Sequence, residues 1–90
     1  MGSTSKKHRN FILEPIGSKP ITAIAGIGPV YGKKLEEAGY DKAYVLLGHF
    51  LVLKKSKEKF VNWMNITAGV SNHYAEQTHK CLDEWCNSFL

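Results

Sequence analysis

The sequence is short of the residues that staple, anchor or catalyse. Its only thiols are Cys81 and Cys86. Five positions apart on a helix, they would be turned roughly 140° from each other, which excludes a shared disulfide or metal. Two reduced, mostly buried thiols are expected. No apolar run approaches the roughly 20 residues that cross a bilayer, and no N-terminal stretch runs charged, then apolar, then small as a signal peptide does. A soluble, intracellular protein with no membrane insertion is expected, in which the Asn65-Ile66-Thr67 sequon carries no sugar. Carboxylates are sparse, eight against twelve Lys and Arg. They fall singly or in exposed helical pairs, with no cluster to hold a metal for hydrolysis. His73 and His79 with Cys81 and Cys86 point in different directions along one helix and cannot enclose a tetrahedral zinc. The expectation is a protein with no catalytic residue, metal or cofactor, and so no enzyme.

What is present suits one small helical domain over 1–90. Ninety residues at 43% hydrophobic content support one modest core and not two. The net charge of +4 and isoelectric point near 9.1 favour a polyanionic partner without requiring one. There is no internal repeat and no low-complexity tract.

The breakers and caps divide the chain into five or six helices. Ser5 can cap a short helix from Lys6 to Leu13 that must end before Pro15. Pro20 opens an apolar turn, Ile21 to Ala25. After Gly26-Ile27-Gly28, Pro29 starts a helix to about Ala38, stopped by Gly39. Asp41 is a good N-cap for a helix from Lys42 to about Leu53, where Leu dominates over β-branched residues and nearly every face is apolar. Ser56 caps a helix holding Phe60, Trp63 and Met64 and ended by Gly69. Ser71 caps the last, where Ala75, Thr78, Leu82, Trp85 and Phe89 recur at steps of three and four. Trp63, Trp85 and Phe89 lie on apolar stripes and read as core or interface rather than base-stacking platforms.

The segment with the sharpest chemistry runs from Ile24 to Leu35. An apolar residue, a Gly-apolar-Gly turn and a second helix with Lys in its first turns form the pattern of a helix-hairpin-helix, over about 20–38. With no side chains at Gly26 and Gly28, phosphate oxygens can approach backbone amides that would otherwise be unpaired, and the next helix N-terminus adds a favourable dipole. Ile27 points inward and pins the turn, while Lys34 can reach the same strand. Such contacts hold DNA without reading its bases. A lone Gly-x-Gly is more often a plain connector; the flanking pattern favours the phosphate-binding reading here. Lys6, Lys7 and Arg9 add phosphate contacts or merely solvate an exposed helix, and composition does not separate these.

Beyond this hairpin, the chain carries Lys7-His8-Arg9-Asn10-Phe11, Glu14-Pro15, Gly32-Lys33-Lys34-Leu35, Asp41-Lys42-Ala43-Tyr44-Val45, Phe50-Leu51-Val52-Leu53-Lys54-Lys55, Cys81-Leu82, Glu84-Trp85-Cys86 and Phe89-Leu90. Across essentially its whole length it resembles the barrier-to-autointegration factor family. The resemblance implies an all-α homodimer whose two DNA sites face away from each other, so that one dimer bridges two duplexes without sequence preference. It nominates Lys6, Lys7, Gly26, Ile27, Gly28, Val30, Lys34 and Asn72 for DNA. Leu47, Gly48, Phe50 and Leu51 would form the dimer interface, and Val52, Lys54, Phe60 and Trp63 a groove for LEM-domain proteins of the inner nuclear membrane. Lamins and histones are further implied partners. The implied location is the nucleus, at the nuclear envelope and chromatin, with some protein in the cytoplasm. Ser3, Thr4 and Ser5 resemble the family's phosphorylated tip, where a phosphate would oppose DNA.

Two stretches depart from the better-known members. Ser56-Lys57-Glu58-Lys59 replaces an acidic stretch ending in Leu, so Lys59 bears on the partner groove. His73 and Glu76 stand where vertebrate members carry basic residues, which weakens that side of the DNA site. The competing reading is a protein-only adaptor of the same fold that has lost DNA binding; such loss should erode the hairpin, yet Gly26, Gly28 and Lys34 remain.

Overall fold

Capping chemistry sets several of the helix ends. The computed structural model describes residues 5–90, and these are all-helical apart from one isolated backbone bridge. Ser5 accepts the His8 amide at 3.1 Å and opens α1 (Lys6–Ile12). After a 3₁₀ turn at Ile21–Ala23, Pro29 begins α2 (Pro29–Glu37). Next comes α3 (Ala43–Val52). Ser56 accepts the Lys59 amide at 3.2 Å at the head of α4 (Lys57–Ala68). The longest helix is α5 (Asn72–Phe89). Gly39 and Gly69 follow α2 and α4 with φ of 98° and 63°, the left-handed stops expected of them.

One cap differs from expectation. Lys42, not Asp41, precedes α3, and its side chain makes no capping bond. The cause is non-local. Residues Lys19 to Ile21 pair antiparallel with this segment, Ile21 N–H donating to Asp41 O at 3.1 Å and Ala43 N–H to Lys19 O at 2.9 Å. That bridge holds Lys42 extended, so the helix starts one residue later. The last helix also departs slightly: Ser71 is its N-cap but its side chain bonds no amide.

The core is one cluster drawn from every helix, with α5 packed on α4 and α1 and, less extensively, on α3. Ala75, Thr78, Leu82 and Trp85 of the α5 stripe are buried. Phe89 is 38% exposed, because at the end of the helix its ring only stacks on Trp85, with centroids 5.0 Å apart. Each fully buried large side chain, such as Phe11, Ile27, Phe50 or Phe60, contributes roughly 1.5–3 kcal/mol. Polar ties fix α1 and the loop after it to α5: His8 Nε2 lies 3.1 Å from Glu84 Oε1, and Trp85 Nε1–H donates to Glu14 O at 3.0 Å. Cys81 and Cys86 are free and buried. Burial pushes the Cys81 thiol up to about 11 and raises Cys86 as well.

The apolar helix α3 splits into two faces. Ala43, Leu46, Leu47 and Phe50 are buried in the protomer, whereas Tyr44, Gly48, Leu51 and Val52 are exposed. His49 packs against the rings of Tyr40 and Trp63, which also meet each other edge to face; its Nε2 is buried with no hydrogen-bond partner among the described residues, and burial lowers its pKa.

Candidate nucleic-acid interface

The turn between the 3₁₀ segment and α2 is held by backbone and by α5. Ile27 N–H donates to Ile24 O at 3.2 Å, and the Ile27 side chain is fully buried. Gly26 has φ of 88°, and a Cβ there would lie 2.4 Å from Tyr74 O and 2.5 Å from Thr78 Oγ1. Glycine is therefore required twice over at this position, by backbone conformation and by space. From the other side, the buried Thr78 hydroxyl donates to Ala25 O at 2.8 Å and lies 3.1 Å from Tyr74 O. Two segments 53 residues apart are thus joined at one oxygen.

Ile27 N–H and Ala25 O are thus both paired within the protein. Among the described residues the amides of Gly26 and Gly28 donate to no backbone carbonyl, and the α2 ladder begins only with Gly32 N–H to Gly28 O at 2.8 Å. The first turn of α2 leaves its amides without intrahelical acceptors. Lys7 reaches across from α1 and donates its ammonium to Ile27 O. Its partial burial lowers its pKa, with Cys81 pulling weakly the other way. The resulting groove, about 460 Å³, is lined by Lys7, the Gly26–Val30 turn, Ser5, Tyr31, Tyr74 and Gln77. Unpaired amides, a helix N-terminus and a cation around one concavity make an anion site.

Five of the residues nominated for DNA meet in this groove: Lys7, Gly26, Ile27, Gly28 and Val30. Ile27 offers backbone only, since its side chain is sealed in the core. Lys6 is exposed on α1 and outside the groove lining. Lys34 also stands apart, its Nζ 3.8 Å from where a Gly69 Cβ would be, which sets it against the α4–α5 turn three residues before Asn72. Lys34 therefore lies near the first turn of α5, whose amides no side chain caps. Asn72 borders a different cleft with Lys57 and Glu76. Glu76 lies 3.8 Å from Lys57, an exposed pairing that offsets part of its charge.

Two surface expectations need correction. Phe50 and Phe60 are both 0% exposed, their rings packed edge to face at 5.5 Å, so neither side chain presents surface for a partner. Leu47 is 8% exposed and contributes little more. Gly48, Leu51, Val52 and Lys54 are exposed and Trp63 is half-buried. Ser5 is within the described residues as the α1 cap at the groove's edge; Ser3 and Thr4 lie outside them. Sequence reasoning missed Tyr31, Tyr74 and Gln77, which only the fold brings to the turn. It counted Thr78 as core, without the role of its hydroxyl.

Comparison with known proteins follows the same lines. The sequence profile of the family described as barrier to autointegration factor matches residues 2–89. Barrier-to-autointegration factor 1 of Caenorhabditis elegans is 53% identical over 88 residues, 98% of this chain and 99% of the relative. The Danio rerio barrier-to-autointegration factor is 53% identical over 90 residues, the full length of both. The Homo sapiens protein is 53% identical over 88 residues, again 98% of this chain and 99% of the relative.

Proposed function

Since this chain belongs to the barrier-to-autointegration factor family, we propose that it is a non-enzymatic protein that binds duplex DNA by its backbone, without reading sequence, through a helix-hairpin-helix at Gly26–Gly28. The observation that carries this reading is the convergence of unpaired turn amides, the head of α2 and the Lys7 ammonium on one groove. The groove's turn suits a phosphate, and contacts from backbone amides and a lysine ammonium to a phosphate carry no base information. Lys34 with the first turn of α5 supplies a second phosphate contact on the neighbouring edge, and Lys6 a third, more solvated charge.

Bridging follows if the protein pairs through α3. Gly48 and Leu51, with the edge of Leu47, form the two-fold contact in this proposal, and a dimer would carry a charge of +8, twice +4. The exposed Val52 and Lys54 with half-buried Trp63 then border a groove for LEM-domain proteins, linking DNA to the inner nuclear membrane, to lamins and to histones. That assigns the protein to chromatin and the nuclear envelope, with a cytoplasmic pool. A phosphate on Ser5, at the groove's edge, would place about −1.5 to −2 charge against the DNA backbone and weaken binding.

The test is a mobility-shift titration on two unrelated duplexes at two salt concentrations, with wild type and Gly28→Glu. A Cβ at Gly28 meets nothing within 4 Å, so this variant sets a carboxylate in the anion site without disturbing the packing that Gly26→Glu would disrupt. Equal affinity for both duplexes, weakening with salt and loss in Gly28→Glu support the proposal. If wild type binds neither duplex, the protein is an adaptor of the same fold.

A further inference from the structure

The groove is larger and more aromatic than a phosphate contact needs. At about 460 Å³ it falls in the range of small-molecule sites. Its turn end offers amides and the Lys7 ammonium, while its α5 end offers the Tyr74 ring, 45% exposed, and the Gln77 side chain. Tyr74 is fixed from behind, because its carbonyl packs on Gly26. Its ring meets Tyr31 at 5.9 Å and 61° and His73 at 5.1 Å and 70°. Both contacts are edge-on, so among the described residues no side chain stacks parallel on it. Gln77, its amide 3.1 Å from His73 Nε2, brings donors and acceptors to the same end. An anion site that runs into a half-exposed aromatic ring and a carboxamide has the chemistry of a nucleotide, phosphate at one end and base at the other.

We propose that this groove takes one unstacked nucleotide, its phosphate on the Gly26–Gly28 turn and its base on Tyr74, so that the protein prefers duplexes with single-stranded ends to blunt ones. The inference deepens the DNA-binding reading and rests on it. A paired, stacked base inside a duplex cannot reach Tyr74, whereas a base in an overhang lies free beside its phosphate. Stacking on an aromatic ring is sequence-tolerant, so the preference is for structure and not for any base.

Fluorescence anisotropy on a blunt duplex and on the same duplex with a short overhang tests it, using wild type, Tyr74→Ala and Tyr74→Phe, each checked for its helical circular-dichroism spectrum. The readout is the affinity ratio, overhang over blunt. One stacked base predicts a ratio of about 5 or more in wild type and Tyr74→Phe, falling to near 1 in Tyr74→Ala. Blunt-duplex binding with no gain from the overhang overturns this inference and leaves the DNA-binding reading standing. A preference that survives Tyr74→Ala overturns it as well. Failure to bind either DNA overturns the DNA-binding reading and this inference with it.

Discussion

The Thr78 hydroxyl joins α5 to the turn. Thr78→Val keeps the shape but strands the Ala25 carbonyl in a buried site, which costs about 1–3 kcal/mol. Since that carbonyl belongs to the residue before Gly26, the amides of the turn lose their support. Duplex affinity is therefore expected to fall several-fold in Thr78→Val at a temperature where circular dichroism shows it fully folded. Thr78→Ser, which keeps the hydroxyl, should restore most of the affinity; if Thr78→Val binds like wild type, the clamp serves stability alone. Cys81, one turn along α5, bears on pH. Burial, the leading cause, raises its pKa from 9.0 to about 11, against a hydrogen bond from the Ala25 backbone. The folded state thus holds a proton that the unfolded state releases. The associated stability, of order 2 kcal/mol, is fully present below pH 9.0 and is lost as pH rises towards 11. Cys86 acts in the same direction, and Lys7, whose pKa is lowered, offsets part of it. Denaturant melts across this window should fall for wild type and flatten in Cys81→Ala, whatever its absolute stability; parallel slopes would refute the assignment.

At the scale of elements, what could be read from the sequence was what local chemistry decides. Ser5, Ser56, Pro29, Gly39 and Gly69 act within a turn of their own positions, and the α5 stripe is a periodicity of one helix. Asp41 misled because the pairing of Lys19–Ile21 with this segment comes from a strand contact 20 residues away. The groove was legible at its turn, where two glycines and a proline mark the backbone, and illegible at Tyr74 and Gln77, which reach it only through the packing of α5. The turn after α3 was hidden for another reason. Lys54 and Lys55 have φ of 59° and 64°, a left-handed pair with neither glycine nor asparagine to announce it. One local and one tertiary contact hold it: Lys55 N–H donates to Phe50 O at 3.1 Å, closing the end of α3, and His79 Nε2 of α5 is 2.8 Å from Lys55 O. Each non-glycine residue in this region is strained by about 1 kcal/mol. Lys55→Gly relieves the strain without removing either backbone bond, at some added entropy in the unfolded chain. A gain of about 0.5–1 kcal/mol, or several degrees in the melting temperature, is expected by thermal denaturation; a lower melting temperature would mean that the lysine side chain matters more than its backbone.

For the whole molecule, the decisive position is Gly48. It sits in the interior of α3, exposed, where a glycine costs roughly 0.8–1 kcal/mol against alanine. The protomer gives no reason for it, since a Cβ there meets nothing within 4 Å. Around it the same helix exposes Tyr44, Leu51 and Val52, the last 73% exposed. A glycine with no role inside the protomer, set in an apolar face, fits close approach by a second copy of that face across a two-fold axis. The two states of assembly make opposite predictions for one substitution. In a lone protomer, Gly48→Ala adds helix propensity and raises the melting temperature by several degrees. In a dimer packed through Gly48, the added methyl groups collide near the axis, so the dissociation constant measured by sedimentation equilibrium rises and the melting temperature falls at low concentration. Gly48→Glu should then give a folded monomer with an unchanged helical spectrum. A wild type that sediments as a monomer at micromolar concentration, with Gly48→Ala the more stable of the two, would leave each protomer with a single groove and remove the basis for bridging two duplexes.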